Sequence, residues 1–544
     1  MLLQLLDALN IFRVRLGGRP LLFSIGVIAL LLIIRTVRAR RRSASRTTGD
    51  MRLAARVISC AALIALTGYV SLAFWYASDP HFFDNAEPSI VALGWLFHVG
   101  QPTYHTPASA ERYAHIYGPM TYMLHGYALG IFGPSIAVSK ALGASAGLTS
   151  LALVYRAIRS KATPARAVVL TGVFALLLLL FRNYSFWTRP EPLQLAAVSA
   201  ILLFAVSGRG YMSATLIGLA SGILWNLKFT GPLYCLPVFV LLQRRTGWRR
   251  TLLAVGVAAA MFLLPFVEYP NVSLANYVAW LHLSSGTGLR LHVLRQNLEW
   301  ATYFSVPLLL SYYAVPRDLR PGGAEWRGLM IALLIGMAGV VVAGAKPGAG
   351  PYHLMPFLPV IMYVIAWQSA RSELLMVADP LVPLASISFV LAAFIIALAQ
   401  QAHLITTMME RRVLREGDDI AQFADTHQGV IEMGYGETEA LTLQRPALVF
   451  RSNSYFLDQP ALREHQLAGI DLPQATIEAL AGCRVNYWLI PKGEEPFSGR
   501  NSYAAVFSRP LFSEDFRQAF HASHILVSTT VHYDVWKCQA KAGT

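Results

Sequence analysis

Asp84 and Glu87 stand three residues apart in a long polar interruption of an otherwise apolar chain. That stretch runs from His81 to Pro119, HFFDNAEPSIVALGWLFHVGQPTYHTPASAERYAHIYGP, and also carries Glu111, Arg112, His105, His115, Tyr113 and Tyr117. Farther along come Arg182, Arg189 and Glu191 in RNYSFWTRPEP, Lys228 in WNLKFTGP, and Lys346, Tyr352 and His353 in AGAKPGAGPYH. A carboxylate can take a proton from a hydroxyl as general base. Guanidinium and ammonium groups pair strongly with phosphate oxygens. One base and one electropositive phosphate site suffice for a defined reaction. An acceptor hydroxyl, deprotonated by the carboxylate, attacks the anomeric carbon of a sugar, and the phosphate leaves already charged, so no general acid is required.

These groups sit in a chain of 544 residues that is 55% hydrophobic and 14% charged, the composition of a polytopic membrane protein. Residues 1 to 400 hold 32 of the 45 Lys+Arg and 13 of the 30 Asp+Glu, a net of +19, whereas 401 to 544 carry a net of −4. The basic excess therefore belongs to the membrane part, where it fixes orientation. No Lys/Arg tract is interleaved with aromatics as a single-strand binder needs, so nucleic acid is not an expected partner. No CxxC or HExxH spacing occurs, and no metal site is expected. Cys60 and Cys235 fall in apolar segments, whereas Cys483 and Cys538 lie in the polar tail and can pair in an oxidising compartment. No short apolar core with a small-residue cleavage site opens the chain, so no cleaved signal peptide is expected.

The elements that position the chemistry follow from the apolar runs. Spans are expected near 21–37, 57–77, 135–156, 167–182, 192–207, 211–228, 231–243, 251–268, 300–315, 327–344, 353–369 and 381–400, about twelve in all. RTVRARRRSASRTTGDMRLAAR and the loops alternating with it carry 21 basic residues, against seven in the loops of the opposite side, the N-terminal tip left out, which makes the basic side cytoplasmic. By that parity 118–132 is a re-entrant or interfacial helix rather than a span, and its His125 reads as a buried, hydrogen-bonded residue. The expected fold class is mainly α: a polytopic transmembrane helical bundle with a C-terminal extracytoplasmic α/β domain. Three parts are expected: 1–56, an N-terminal helix and basic cytoplasmic loop; 57–400, the transmembrane domain with first outer loop 78–117; and 401–544, a soluble accessory domain. Within the last, residues 403–427 read as an exit helix turning polar, after which the apolar stretches VIEMG, PALVF, VNYWLI, ILVSTT and VHYDVWKC alternate with a helix from Gln459 and the helices LPQATIEALAG and SEDFRQAFHAS.

Arg189 and Lys228 break the positive-inside trend between apolar helices, and ionisable groups kept at such cost mark function. The order of the segments resembles the GT-C superfamily of polyprenol-linked membrane glycosyltransferases, such as aminoarabinose and protein O-mannosyltransferases. The resemblance covers about residues 57 to 370. It rests on FFDNAEPSIVALGWLFHVGQPTY as an acidic first outer loop, IYGPMTYML opening the next helix, TRPEPLQLAAVSAILL as an Arg-Pro-acid motif, GILWNLKFTGPLY as a Lys-bearing helix end, and GPYHLMPFLPV as a late outer turn. It implies an inverting transferase of the inner (plasma) membrane that moves a sugar from a polyprenyl-phosphate carrier to a glycan, lipid or protein acceptor at the extracytoplasmic face. It makes Asp84 the leading base and Glu87 a supporting or metal-linked acid, with Glu191 a further catalytic candidate. Arg189, Lys228 and Lys346 become carrier-phosphate contacts, and Arg182, Tyr117, His115 and His353 further substrate-binding candidates. Relatives often carry two adjacent acids where this chain has Asp84-Asn85, and an Asp where it has Glu191. One carboxylate fewer makes a poorer divalent site, so no cofactor is expected. The alternative is a transporter or flippase for a lipid-linked saccharide, for which Lys140 is the one ionisable group expected within a span. Glu111 and Arg112 are expected to pair with each other at the edge of the acidic segment.

Overall fold

The computed structural model describes residues 47–316, 319–370, 381–501 and 509–539. The expected span 21–37, with most of the 1–56 part, lies outside them. Each of the other eleven expected spans falls on a described helix. In order these are α1 (Thr47–Ser78), α2 (Ala86–His98), α3 (Pro119–Phe132), α4 (Ile136–Arg159), α5 (Pro164–Leu179), α6 (Pro190–Ser207), α7 (Tyr211–Leu227), α8 (Gly231–Thr246), α9 (Trp248–Glu268), α10 (Leu274–Ser285), α11 (Leu291–Ala314) and α12 (Ala324–Ala343). A 3-10 turn, Pro351–Phe357, leads into α13 (Leu358–Ser369), followed by α14 (Leu381–Leu414). Among the described residues six stretches are long and apolar enough to cross a membrane: Ala55–Ser78, Ile136–Arg159, Pro190–Ser207, Trp248–Glu268, Ala324–Ala343 and Ala385–Thr426. Pro164–Leu179 and Tyr211–Leu227 are shorter apolar helices. The molecule is a polytopic transmembrane helical bundle.

Prolines start several of these helices, because the missing N–H is an unpaired donor there anyway and the ring fixes a helical φ. The acidic segment is not a loop throughout. Its sequence AEPSIVALGWLFH is apolar on every side, and it forms α2, buried at all positions except Trp95 and His98. Stretch 118–132 is α3, as a helix beside the acidic segment requires. His125 is fully buried, its Nδ1 2.6 Å from Ser139 Oγ, the hydrogen-bonded role expected of it. At the far end of α3, Ile131 and Phe132 are 74% and 75% exposed, which suits a lipid interface better than water. Lys140 lies in the first turns of α4 and donates to the carbonyls of Asp79 and His81, both at 2.8 Å. It ties α4 to the end of α1, and the carrier alternative draws no support from it.

The helices approach closely where a side chain would not fit. Gly143 of α4 packs on the backbone just before Arg189, and a Cβ there would lie 1.9 Å from the Trp187 carbonyl oxygen. Gly143→Ala is expected to cost about 2 kcal/mol through this overpacking. A lowered thermal midpoint in detergent, with weakened function from a displaced Arg189, checks it.

Beyond the bundle come α15 (Glu416–Thr426), β1 (Ile431–Met433), α16 (Pro446–Ser452), α17 (Gln459–Leu467), α18 (Gln474–Ala481), β2 (Tyr487–Pro491), α19 (Glu514–Ser523), β3 (His524–Thr529) and β4 (Tyr533–Cys538). The strands form one sheet in the order β1-β2-β4-β3, with β1 parallel to β2 and the other pairs antiparallel. PALVF departs from the strand pattern of its neighbours and becomes α16, since Pro446 at its first turn suits a helix start and cannot donate to a ladder. Cys483 and Cys538 form a disulfide across this region. The boundary read at 400/401 falls inside α14, which continues unbroken to Leu414.

Candidate active site

Backbone placement brings the cations together. Arg189 caps α6 just before Pro190, and Lys228 follows the last residue of α7. Gly118 pins the start of α3 to the end of α7. Its N–H donates to the Leu227 carbonyl at 3.2 Å, Thr121 Oγ1 donates to the same oxygen at 3.1 Å, and a Cβ on Gly118 would lie 1.9 Å from the Asn226 carbonyl oxygen. Tyr117 is thereby held beside Lys228, whose Nζ is 5.3 Å from the ring centre.

A connected network results. Arg189 donates to Asp84 Oδ1 at 3.3 Å and to the Tyr352 hydroxyl at 3.1 Å, and its guanidinium lies 4.3 Å from the Trp187 ring centre. Lys228 Nζ donates to Glu191 Oε1 at 3.1 Å and sits 3.2 Å from His353 Nδ1. The other Glu191 oxygen accepts from Trp187 Nε1 at 3.0 Å. A cleft opens against this network, lined by Tyr117, Arg189, Lys228, Lys346, Tyr352 and His353 among others. Five of the sequence-derived binding candidates therefore share one wall. Burial lowers the Lys346 pKa, and Glu464 partly restores it.

The remaining candidates lie elsewhere. Asp84, with its side chain 26% exposed, reaches the network through Arg189 and fixes its own oxygen with the Ala86 N–H at 3.0 Å. Glu87 is completely buried, accepting from the Tyr76 hydroxyl, the Thr188 N–H at 3.1 Å and the Phe83 N–H at 3.4 Å. Burial raises its pKa. Arg182 does not line the cleft; its residue adopts a left-handed backbone, and its carbonyl accepts from Gln401. His115 faces the C-terminal region, with Nε2 2.6 Å from Asp458 Oδ2 and Nδ1 3.8 Å from Glu464 Oε2. Burial opposes its charge, yet the two carboxylates raise its pKa to about 9. Glu111 and Arg112 do not pair with each other. Glu111 is bound by Arg484, and Arg112 is buried, donating to the Pro107 carbonyl at 2.9 Å, because the chain at Phe456–Asp458 folds back along it. Among the described residues no group of three or more His, Cys, Asp or Glu could hold a metal ion.

Sequence reasoning missed the contribution of the C-terminal region. Glu464 and Leu467 of α17 form part of the cleft wall. Asp458 caps α17 and also binds Arg445 at 3.0 Å, the Tyr455 hydroxyl, and Ser89 Oγ of α2 at 2.8 Å. Asp458-Gln459-Pro460 is a cap followed by an early proline, a signal that locates the helix start but not what the cap faces.

No protein-family model matches the sequence, and no curated protein matches it. The fold is matched by solved structures. The chain is similar to the crystal structure of ArnT from Cupriavidus metallidurans bound to undecaprenyl phosphate, at 14% identity and a TM-score of 0.51 over 89% of this chain and 99% of that one. It is similar to the same protein in the apo state, at 14% identity and a TM-score of 0.50 over 89% and 98%. The cryo-EM structure of the arabinofuranosyltransferase AftD from mycobacteria aligns at 12% identity and 0.46, over 89% of this chain and 40% of that one. At these identities the likeness is one of fold.

Proposed function

We propose that the chain is an integral-membrane glycosyltransferase that moves a sugar from a polyprenyl-phosphate carrier to a glycan, lipid or protein hydroxyl at the extracytoplasmic face of the inner membrane. The observation that carries this is the meeting of Arg189, Lys228 and Lys346, from three separate segments, on one cleft, with Asp84 held on the first of them. That the fold is shared with a protein bound to undecaprenyl phosphate supports a lipid-phosphate ligand.

In this reading the three cations, with Tyr117 and His353 beside them, hold the carrier phosphate, and Tyr352 steadies Arg189. Asp84 takes the proton from the acceptor hydroxyl as its oxygen bonds to the anomeric carbon. The bond from that carbon to the phosphate oxygen breaks with its electron pair going to phosphate, so direct displacement inverts the anomeric centre. Asp84 then returns the proton to water. Glu191 aims Lys228, and Glu87 positions α2, on which the Asp84 loop rests. Mass spectrometry of lipid-linked sugars in a deletion strain tests the proposal. One polyprenyl-phosphate sugar should accumulate while one surface glycan disappears, and unchanged profiles would count against it.

Orientation has its own check. The Cys483–Cys538 disulfide agrees with an oxidising side. After mild reduction, a membrane-impermeant maleimide should label Cys483 in spheroplasts without detergent. Labelling only after lysis would reverse the topology.

A further inference from the structure

We propose that Glu464 is a specificity-determining residue of the cleft, favouring the sugar-bearing carrier phosphate over the bare one. The inference rests on the glycosyltransferase reading above and adds a role for the C-terminal region within it.

Glu464 is a carboxylate on the wall of a cleft that also presents Arg189, Lys228 and Lys346. Its side chain is 29% exposed, and its ion-pair neighbour, His115 Nδ1, is 3.8 Å away, beyond hydrogen-bond distance, so its oxygens keep lone pairs for a ligand. The helix that carries it is held firmly. Asp458 caps it through the Ala461 N–H at 3.1 Å, Arg463 is paired to Glu439 at 3.0 Å, and His465 stacks on Trp280 with ring centres 4.3 Å apart.

The substrates differ in charge in a way this carboxylate can read. The donor is a phosphodiester with one negative charge. The spent carrier is a monoester whose second ionisation falls near neutrality, giving nearly two. Three cations alone would bind the spent carrier more tightly than the donor and stall the enzyme in its product. A fixed carboxylate in the same cleft repels the second charge once the sugar has left. With the sugar present, it accepts hydrogen bonds from the hydroxyls. One group thus strengthens donor binding and speeds product release.

The test measures Kd for undecaprenyl phosphate and for its methyl diester on the purified full-length protein. Glu464→Gln keeps the shape and removes the charge. It should bind the monoester about tenfold more tightly and leave the methyl diester within about twofold. An unchanged ratio would overturn the inference, as would weaker monoester binding with an unchanged thermal midpoint. Wild-type protein alone supplies a second criterion should the variant fold poorly: a tenfold or greater preference for the monoester over the diester overturns it, and a preference of about threefold or less supports it. Wild-type protein binding neither probe would remove the carrier reading and this inference together. Binding of both with a ratio insensitive to Glu464 would remove the inference alone.

Discussion

Asp84→Asn is expected to lower kcat for transfer by about a thousandfold, with the protein folded and the carrier still bound. The loss is the size expected of a general base. The amide keeps an oxygen at Oδ1 to accept from the Ala86 N–H at 3.0 Å and from Arg189 at 3.3 Å, so α2 and the guanidinium stay in place. What disappears is the capacity to hold a proton. The thermal midpoint should therefore match wild type within experimental error, and undecaprenyl phosphate should bind at least as tightly because Arg189 loses a competing negative charge, while turnover falls. Turnover at the wild-type rate would take the base role from Asp84, and a collapsed midpoint would make it a structural residue.

Asp458→Asn should be the most damaging substitution for stability, at about 3–5 kcal/mol. The carboxylate is fully buried and is the shared partner of Arg445, His115, Tyr455 and Ser89. An amide leaves the buried Arg445 without its carboxylate and His115 with only the more distant Glu464 at 3.8 Å. Burial opposes ionisation of Asp458, but Arg445 and His115 hold its carboxyl well below the usual carboxylate range. The pH dependence follows. His115 is raised from its ordinary 6.5 to about 9, so its contribution is complete below about 6.5 and lost as pH rises through about 9. Asp458 is depressed, so its contribution is present above about pH 4 and lost as pH falls through its lowered value. Thermal midpoints should therefore decline from pH 7 to 10 in wild type and be flatter over that range in Asp458→Asn. An equal alkaline decline in both would remove the His115–Asp458 pair as its source.

The legible half of the site was the half that broke a rule. Arg189, Lys228 and Lys346 could be read because the span count sets them opposite the basic loops, where basic residues are unusual and costly to keep. The spans could be read because apolar runs of that length have few other uses. Glu464, Asp458 and Arg445 broke no rule. They lie in a polar tail where 17 acidic residues make one more unremarkable. What gives them meaning is a contact across the fold, such as His115 with Asp458 at a separation of 343 residues. The helix beyond residue 400 was legible for a different reason: HLITTMMERRVL turns polar gradually and contains no helix breaker, so α14 runs on past the point where hydropathy fades.

That unbroken helix makes its own length a fixed dimension of the molecule. At about 1.5 Å and 100° per residue, 34 residues extend about 51 Å, well past a hydrocarbon core of about 30 Å. Arg412 near its far end is clamped to Asp79 at 2.7 Å, close to where α1 ends. One residue added before Arg412 would swing everything downstream by more than a quarter turn, carrying α17 and its carboxylate off the cleft. Insertions and domain exchanges in such a chain are therefore confined to the loops after Leu414, because α14 works as a keyed shaft whose phase sets where the C-terminal wall of the cleft stands.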